Sequence, residues 1–287
     1  MPPNAAARAV GYTSSPMPMR SLLALLLPAL LLAACGGSDA APPEPGAPPI
    51  VKRELLVFAA SSLTDAFTEA GKTFETQHPG VSVVLNLAAT STLRLQVEQG
   101  ARADVFASAD QRNLDLLAQA GLTDGASVPF ASNRLAVIVP RKNAKVATLA
   151  DLGKPGLRLV LVTPQAPIGA YVGQVLDLVA RDPAYGPAFV QRLRQSVVTE
   201  ALNVRQAVAT VQLGEADATL VYSTDAVGTV AQDVAAIFLP DAFHVPVSYL
   251  ISVVKGAPQP ALAREFVAFI AGPEGQRVLK AWGFLAP

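Results

Sequence analysis

The chain has little cysteine, little histidine and no net charge, and each of these features argues against one class of function. The 287 residues include one Cys and two His, with 22 basic and 22 acidic side chains, so the formal charge at pH 7 is zero. A single Cys cannot form an internal disulfide. Two isolated His without clustered Cys or carboxylates do not make a metal site, and a neutral chain does not suggest a nucleic-acid partner.

The N-terminal apolar run is too short to cross a membrane as a helix. It covers residues 22–32, about eleven positions, whereas a transmembrane helix needs roughly 20. The run follows Arg20 and closes with Leu-Ala-Ala-Cys, which is typical of a secretory signal with small residues before the cleavage site. We therefore expect residues 1–35 to be an export signal and not part of the fold.

Cys35, at the end of this segment, resembles the lipidated cysteine of bacterial lipoprotein signals. The resemblance implies a diacylglyceryl group on its sulfur and attachment to a membrane; the alternative is an ordinary signal peptide that contains a cysteine by chance. Residues 36–50 are rich in Pro, Gly and Ala without periodicity, which favours a flexible tether. Folded structure is expected from about residue 51.

Beyond the tether, apolar runs alternate with segments of helical periodicity. This alternation predicts an α/β fold with βαβ units around parallel sheets. We expect two lobes joined by two hinge crossings, with lobe 1 formed by residues 51–132 and 245–287 and lobe 2 by residues 133–244. Strands are predicted at residues 55–60, 81–89, 104–110, 134–140, 156–164, 196–199, 218–226 and 244–256. Helices are predicted at residues 64–77, 90–100, 113–120, 170–180 and 204–213 and within residues 261–282.

Hydroxyl residues follow two neighbouring predicted strands at their carboxyl ends. The first strand ends in AASSLT (residues 59–64) and the next ends at Thr90, and each turn leads into a helix. The start of a helix offers free backbone N–H groups and the positive end of its dipole. Because ligands of open α/β sheets bind at the carboxyl ends of strands, the sequence predicts an anion site there.

Five segments, taken in order, carry a resemblance to a known family. They read VFAASSLTDAF, STLRLQVEQGARADVFASAD, PQAPIGAY, NVRQAV and LVYSTDAV. In this order and spacing the chain resembles the periplasmic molybdate-binding proteins of bacterial molybdate ABC transporters, over almost all of the mature chain. The resemblance implies the bilobed type II periplasmic-binding-protein fold, hinge closure around a buried tetrahedral oxyanion, and delivery of the anion to the membrane subunits of a permease.

The resemblance also implies which residues of this chain contact the ligand. The family's contacts fall on the hydroxyl groups of Ser62, Thr90 and Tyr222 and on the backbone N–H groups of Ile168 and Val204. Thr90 stands where the family has serine, and Ile168 stands where the family has a smaller residue, so both alter the pocket wall. Molybdenum is expected to be held as the oxyanion, without direct metal ligands and without a cofactor.

The chemistry of molybdate is consistent with this set of residues. Molybdate carries no proton at neutral pH, so a selective site should offer donors and no carboxylate acceptor; each charge-assisted hydrogen bond contributes about 1.5 to 3 kcal/mol. Asp65 and Asp225 lie near two of the motifs and are interpreted as residues at helix starts. Arg134 and Arg205 are expected to face solvent or a carboxylate and not the anion.

The sequence therefore predicts a lipid-anchored, monomeric binding protein outside the cytoplasm that captures molybdate, and tungstate with it, for an ABC permease. Sulfate, phosphate and organic anions stay open as alternative ligands. An enzyme or a ligand sensor on the same bilobed fold is the alternative from another class, and the export signal and the missing acid–base cluster argue against it.

Overall fold

The computed structural model describes residues 52–287, and the structural statements below concern that part of the chain. The predicted signal (residues 1–35), the predicted linker (residues 36–50) and Cys35 lie outside the described residues. Within residues 52–287, no helix combines the length and the apolar character that crossing a bilayer requires.

Strands and helices alternate along the described chain. The strands are β1 (Arg53–Ala60), β2 (Val81–Ala88), β3 (Val105–Ser108), β4 (Thr123–Asn133), β5 (Leu135–Pro140), β6 (Leu159–Val162), β7 (Val197–Ala201), β8 (Ala218–Tyr222), β9 (Val234–Phe238) and β10 (Val247–Val254). The helices are α1 (Thr64–Gln77), α2 (Thr90–Glu98), α3 (Gln111–Gln119), α4 (Pro167–Arg181), α5 (Gly186–Gln195), α6 (Val204–Gln212), α7 (Pro260–Ala271) and α8 (Pro273–Ala281). Short 3₁₀ helices cover Ser61–Leu63, Leu149–Gly153, Ser223–Ala226, Gly228–Gln232 and Asp241–Phe243.

The strands form two five-stranded sheets, one in each lobe. The first sheet has the order β2-β1-β3-β10-β4, and the second has the order β7-β6-β8-β5-β9. Each sheet is mixed: β1 is parallel to β2 and β3, and β6 is parallel to β7 and β8, whereas β10 and β5 run antiparallel to their neighbours. The chain is therefore a bilobed α/β protein, as the sequence predicts, with antiparallel strands in sheets that were expected to be parallel.

The central strands are apolar on both faces because helices cover both sides of each sheet. Strands β3 and β6 have every residue buried, and β8 (sequence ATLVY) is buried from end to end. Continuous apolar runs of this kind are typical of strands covered on both faces. In the first lobe, Phe67 and Phe74 of α1 pack against Phe266 of α7 with ring centroids 6.1 and 5.1 Å apart. This packing holds α1 against α7.

The chain passes between the two sheets at two connections. The first is Arg134, between β4 and β5, and the second is residues 239–246, between β9 and β10. Asn133, at the first connection, is buried, and its amide Nδ2 donates to Thr224 Oγ1 at 2.8 Å in the second lobe. The predicted lobe boundaries at 132/133 and 244/245 lie within two residues of these connections.

Three elements were not predicted, and several boundaries differ. The sequence pattern does not indicate β4, α5 or β9, and it predicts a start of α4 at residue 170, whereas the helix begins at Pro167. The pattern also predicts that β8 continues to residue 226, whereas residues 223–226 form a 3₁₀ helix. The start of α4 has a local reason, because Pro at the first helical position has the backbone angle that a helix needs and lacks an N–H that would go unpaired there.

Gly169 allows α4 to start against the end of β6, and this close approach gives a test. A Cβ at residue 169 would lie 2.1 Å from the carbonyl oxygen of Thr163, whereas a Cβ at Gly173 of the same helix meets nothing within 4 Å. We expect Gly169→Ala to lower the free energy of unfolding by about 1 to 3 kcal/mol or more. Gly173→Ala should raise it by up to about 1 kcal/mol, because alanine favours the helix.

Urea unfolding of the two variants and the wild-type protein, followed by circular dichroism, measures both effects. Equal stability of Gly169→Ala and Gly173→Ala would contradict the close approach of α4 to Thr163.

Candidate functional site

A small cavity between the lobes brings together all five residues that the sequence analysis predicted as ligand contacts. Its volume is about 20 Å³, far below the roughly 300 to 1,000 Å³ of pockets for drug-sized ligands. The first lobe contributes Ala60, Ser61, Ser62, Ala88, Ala89, Thr90 and Ala109, and the second contributes Ala166, Pro167, Ile168, Asn203, Val204 and Tyr222. The size suits a compact inorganic ion.

Five helical segments begin at the wall of this cavity, and three of them have an alanine as N-cap. Ala60, Ala89 and Ala166 precede the 3₁₀ helix Ser61–Leu63, α2 and α4, and none of them caps its helix with a side chain. Alanine is among the least favourable N-cap residues, because it cannot accept a hydrogen bond from the first turn. The first-turn N–H groups of these helices therefore face the cavity without an intrahelical acceptor.

The start of α6 is capped differently. Asn203 accepts a hydrogen bond from Gln206 N at 3.1 Å through Oδ1. The N–H of Val204, at the first helical position, has no acceptor within its own helix. Because Val204 and Ile168 are both buried at 2% exposure, these two predicted backbone donors lie on the second-lobe wall of the cavity.

Ser62 is held from behind by a buried tyrosine. Tyr249 donates its hydroxyl hydrogen to Ser62 Oγ at 3.1 Å, and Tyr249 Oη in turn receives a long hydrogen bond of 3.4 Å from Asn133 Nδ2. Both Ser62 and Tyr249 are buried. Since the Ser62 oxygen already accepts a hydrogen bond, its own hydroxyl hydrogen remains for an acceptor in the cavity.

Thr90 is arranged in the same way. Its Oγ1 accepts a hydrogen bond from Ala109 N at 3.2 Å, and the side chain is 1% exposed. A backbone N–H can only donate, so the hydroxyl hydrogen of Thr90 also remains available. The two first-lobe hydroxyls are thus both oriented as donors by their neighbours.

Tyr222 lies on the second-lobe wall, and its hydroxyl group makes no hydrogen bond in the described chain. The residue is 1% exposed, and its hydroxyl has no hydrogen-bond partner among residues 52–287. Burial, with the nearby Tyr249 and Tyr171 hydroxyls, raises the pKa of Tyr222 well above its ordinary value, so the hydroxyl keeps its proton. A buried polar group without a partner is costly, and an acceptor in the cavity would satisfy it.

Asp225 lies behind Tyr222 without lining the cavity. It is 1% exposed and in the first turn of the 3₁₀ helix that follows β8, which agrees with its interpretation as a helix-start residue. Oδ2 accepts from Tyr222 N at 3.1 Å, while Oδ1 has no partner in the described chain. Burial raises the pKa of Asp225 to about 7, against the opposing attraction of Arg205 and the Tyr222 N–H.

The two arginines near the predicted motifs do not line the cavity. Arg205 pairs with Asp65, with Nη2 and Oδ2 2.6 Å apart, as expected for an arginine that faces a carboxylate. Arg134 is exposed and lines a separate pocket beside Phe238 and His244. Within the described chain, no carboxylate lines the small cavity, and its polar side chains are hydroxyl groups and the Asn203 amide.

A larger cleft between the lobes adjoins the cavity. It has a volume of about 670 Å³ and shares Ala166 and Pro167 with the cavity wall. Leu95 and Leu202, both exposed, lie on opposite walls of this cleft, and Arg94 lies on the first-lobe side. The cleft and the cavity thus meet at the start of α4.

Sequence reasoning missed Tyr249 and Asn133, which support the site without lining it. Tyr249 is 187 positions from Ser62 in the chain, so no local pattern could connect them. The alanines at three helix starts indicate the site in the sequence. A helix that follows a strand end without a capping side chain has free N–H groups, which can bind another acceptor.

The sequence also matches a family over most of its length. Residues 55–285 match the family described as bacterial extracellular solute-binding protein. The molybdate-binding protein ModA of Mycobacterium tuberculosis (strain ATCC 25618 / H37Rv) is 38% identical to this chain over 244 residues, which cover 85% of the chain and 88% of that protein.

Two solved structures share the fold. The periplasmic molybdate-binding protein of Azotobacter vinelandii has a TM-score of 0.71 at 24% identity, covering 81% of this chain and 99% of that chain. The sulfate-binding protein SubI of M. tuberculosis H37Rv has a TM-score of 0.70 at 20% identity, covering 80% and 86% of the two chains. Proteins named for different anions thus share this architecture, so the ligand must be argued from the site.

The buried Asp225 predicts a pH dependence of stability. Its pKa is about 7 in the folded protein and near 3.8 in the unfolded chain, so between these values the folded state holds a proton that the unfolded state has lost. Stability should therefore fall as pH rises from about 4 to 7 and level off above that. The contribution is about 4 kcal/mol, at 1.36 kcal/mol per pKa unit.

Replacement of the carboxyl group should remove this contribution. In urea unfolding at several pH values from 4 to 8, Asp225→Asn should gain stability relative to wild type as the pH rises. Asp177→Asn, at an exposed position on α4, is the matched control and should track the wild type. Parallel curves for Asp225→Asn and wild type would show that Asp225 is not protonated in the fold.

Proposed function

Because the chain belongs to the bacterial extracellular solute-binding proteins, and within them to the molybdate-binding proteins of ABC transporters, we propose that its cavity captures molybdate, and tungstate with it. The five contacts are the hydroxyls of Ser62, Thr90 and Tyr222 and the N–H groups of Ile168 and Val204. The anion is the cargo of the protein, and no cofactor is part of the proposal.

One observation carries the proposal. The Tyr222 hydroxyl is buried and unpartnered within the described chain, on the wall of a cavity that also receives the uncapped starts of the 3₁₀ helix Ser61–Leu63, α2 and α4. A small anion in the cavity gives all of these donors an acceptor at once. Each charge-assisted hydrogen bond contributes about 1.5 to 3 kcal/mol, and together they offset the dehydration of a dianion.

The absence of a carboxylate from the described cavity wall argues for an anion without a proton. Phosphate near neutral pH keeps a proton that needs an acceptor, and no carboxylate among residues 52–287 lines the cavity. Molybdate, tungstate and sulfate carry no proton there. Sulfate has the same shape and charge as molybdate on a smaller scale, so sulfate is the competitor that the experiment must separate.

The mechanism that we propose is closure of two lobes around the anion. Donors on the first lobe, from Ser62 and Thr90, bind the anion in the open state, and donors on the second lobe add their bonds when the lobes close at the hinge near Asn133. The anion shifts the population toward the closed form, which an ABC permease recognises. The relatives are solute-binding proteins, and we propose no catalytic role and a monomeric state for this chain.

A panel of oxyanions tests the ligand. We expect molybdate and tungstate at about 100 times their Kd to stabilise the protein by about 2.7 kcal/mol, with a much smaller effect of sulfate and none of phosphate. Thermal unfolding and isothermal titration calorimetry measure the effect. If sulfate stabilises the protein as strongly as molybdate, the assignment of the substrate is wrong.

Tyr222→Phe tests the site itself. Removal of one charge-assisted donor should weaken anion binding by about 1.5 to 3 kcal/mol, roughly 10- to 150-fold, and should relieve the unpartnered hydroxyl of the free protein. Tyr185→Phe is the control, because the Tyr185 ring packs against Phe189 and Phe243 and does not line the cavity. Unchanged affinity in Tyr222→Phe would remove Tyr222 from the binding site.

For the location of the protein we propose a lipid anchor on Cys35, at the end of the predicted signal. The support is the position of the one cysteine of the chain directly after Leu-Ala-Ala and before a Pro/Gly-rich tether. Expressed in bacteria, the wild-type protein should enter the detergent phase and carry the mass of a lipid group, and Cys35→Ala should stay in the aqueous phase. A wild-type protein without added lipid mass contradicts the anchor.

A further inference from the structure

We propose that Arg205 is a positioning residue that clasps the two lobes together over the anion, an inference that rests on the proposed function. Arg205 is the second residue of α6 in the second lobe. Its Nη2 lies 2.6 Å from Asp65 Oδ2, and its Nε donates to the carbonyl oxygen of Ser61 at 3.2 Å. Both acceptors belong to the first lobe.

The two bonds attach directly beside the proposed ligand contacts. Arg205 follows Val204, and Ser61 precedes Ser62, so the guanidinium joins the starts of the helices that supply donors from opposite walls. One planar guanidinium donates in two directions at fixed angles, which a lysine cannot do. The contact therefore fixes the orientation of the α6 start relative to the turn at Ser61 as well as the distance between them.

The clasp is distinctive among the ion pairs of residues 52–287. The other pairs each join residues of a single lobe, for example Arg264 of α7 with Asp124 of β4 and Arg158 with Asp217. Among these ion pairs, only Arg205–Asp65 joins a helix of the second lobe, α6, to a helix of the first lobe, α1. Separation of the lobes at the hinge must break this ion pair. The ion pair and the contacts of both lobes with the anion therefore form in the same closed state.

Through the equilibrium between open and closed lobes, the clasp affects the affinity for the anion. A contact that exists only in the closed state raises the closed fraction of the free protein, and the apparent affinity scales with that fraction. The side chains of Arg205 and Asp65 are 28% and 38% exposed, so solvent screens the pair and the effect is modest. It should appear mainly in the rate at which the anion leaves, since the clasp must break before release.

A double-mutant cycle on the full chain measures the coupling, with molybdate as the probe. Arg205→Gln should raise the molybdate dissociation rate by about 3- to 10-fold and change the association rate less than about 2-fold. Asp65→Asn added to Arg205→Gln should cost little more, because the two residues act as one pair. Arg264→Gln is the matched control: its pair with Asp124 has the same 2.6 Å separation within the first lobe, so binding should not change.

A second measurement needs no ligand and so separates the clasp from the proposed function. Spin labels at Leu95→Cys and Leu202→Cys, on opposite walls of the cleft, report the distance between the lobes in a Cys35→Ser background without any anion. Arg205→Gln should shift the distances to longer values, and Arg264→Gln should not. An unchanged distribution overturns the clasp, whereas failure of the wild type to bind molybdate overturns the proposed function alone.

Discussion

The site depends on helix starts that are buried without side-chain caps. Ala60, Ala89 and Ala166 stand where Ser, Asp or Asn would normally accept a hydrogen bond from the first turn. A helix end with unpaired N–H groups is tolerable in water but costly in a closed cavity. The sheet order places the ends of β1, β2, β6 and β8 at one cleft, so these costs accumulate at a single point. An anion there satisfies them together, and the same arrangement makes the closed form incomplete without a ligand.

The hinge and the site share one buried hydrogen-bond system. Asn133 lies at the crossing between the lobes and reaches both Thr224, next to the turn after Tyr222, and Tyr249, which holds Ser62. A rotation at residue 134 therefore acts on Tyr249, which holds the first-lobe donor Ser62, and on Thr224 of the second lobe. In the proposed closure, Ser62 and the hinge residue Asn133 are therefore connected through Tyr249 by hydrogen bonds of 3.1 and 3.4 Å, and Asn133 is connected to Thr224 by a hydrogen bond of 2.8 Å.

Local sequence pattern predicts most of the elements around the predicted ligand contacts, although it places the start of α4 at residue 170, after Ile168. It fails for strands such as β4, whose pairing partner is distant in the chain. Helix α1 was predicted with its observed bounds because Ala66, Phe67, Ala70 and Phe74 repeat at helical spacing. Strand β4 was missed because TDGASVPFASN contains Gly, Pro and little alternation, and its pairing with β10 is more than a hundred residues away in sequence. The five predicted contact residues are placed by the resemblance, whereas the hydrogen bond from Tyr249 to Ser62 is seen only in the fold.

The charged side chains near the cavity are paired or largely neutralised, so no unpaired charge attracts or repels a ligand strongly. Arg205 is neutralised by Asp65 at 2.6 Å, and the buried Asp225, with a pKa of about 7, is substantially protonated at neutral pH. Attraction for the anion then comes from hydroxyls and helix dipoles, which require short distances and fall away once the lobes separate. A site built on an unpaired arginine would hold any anion over a longer range and release it less readily. In the proposed function, neutral donors therefore favour an anion without a proton and release that anion when the lobes open.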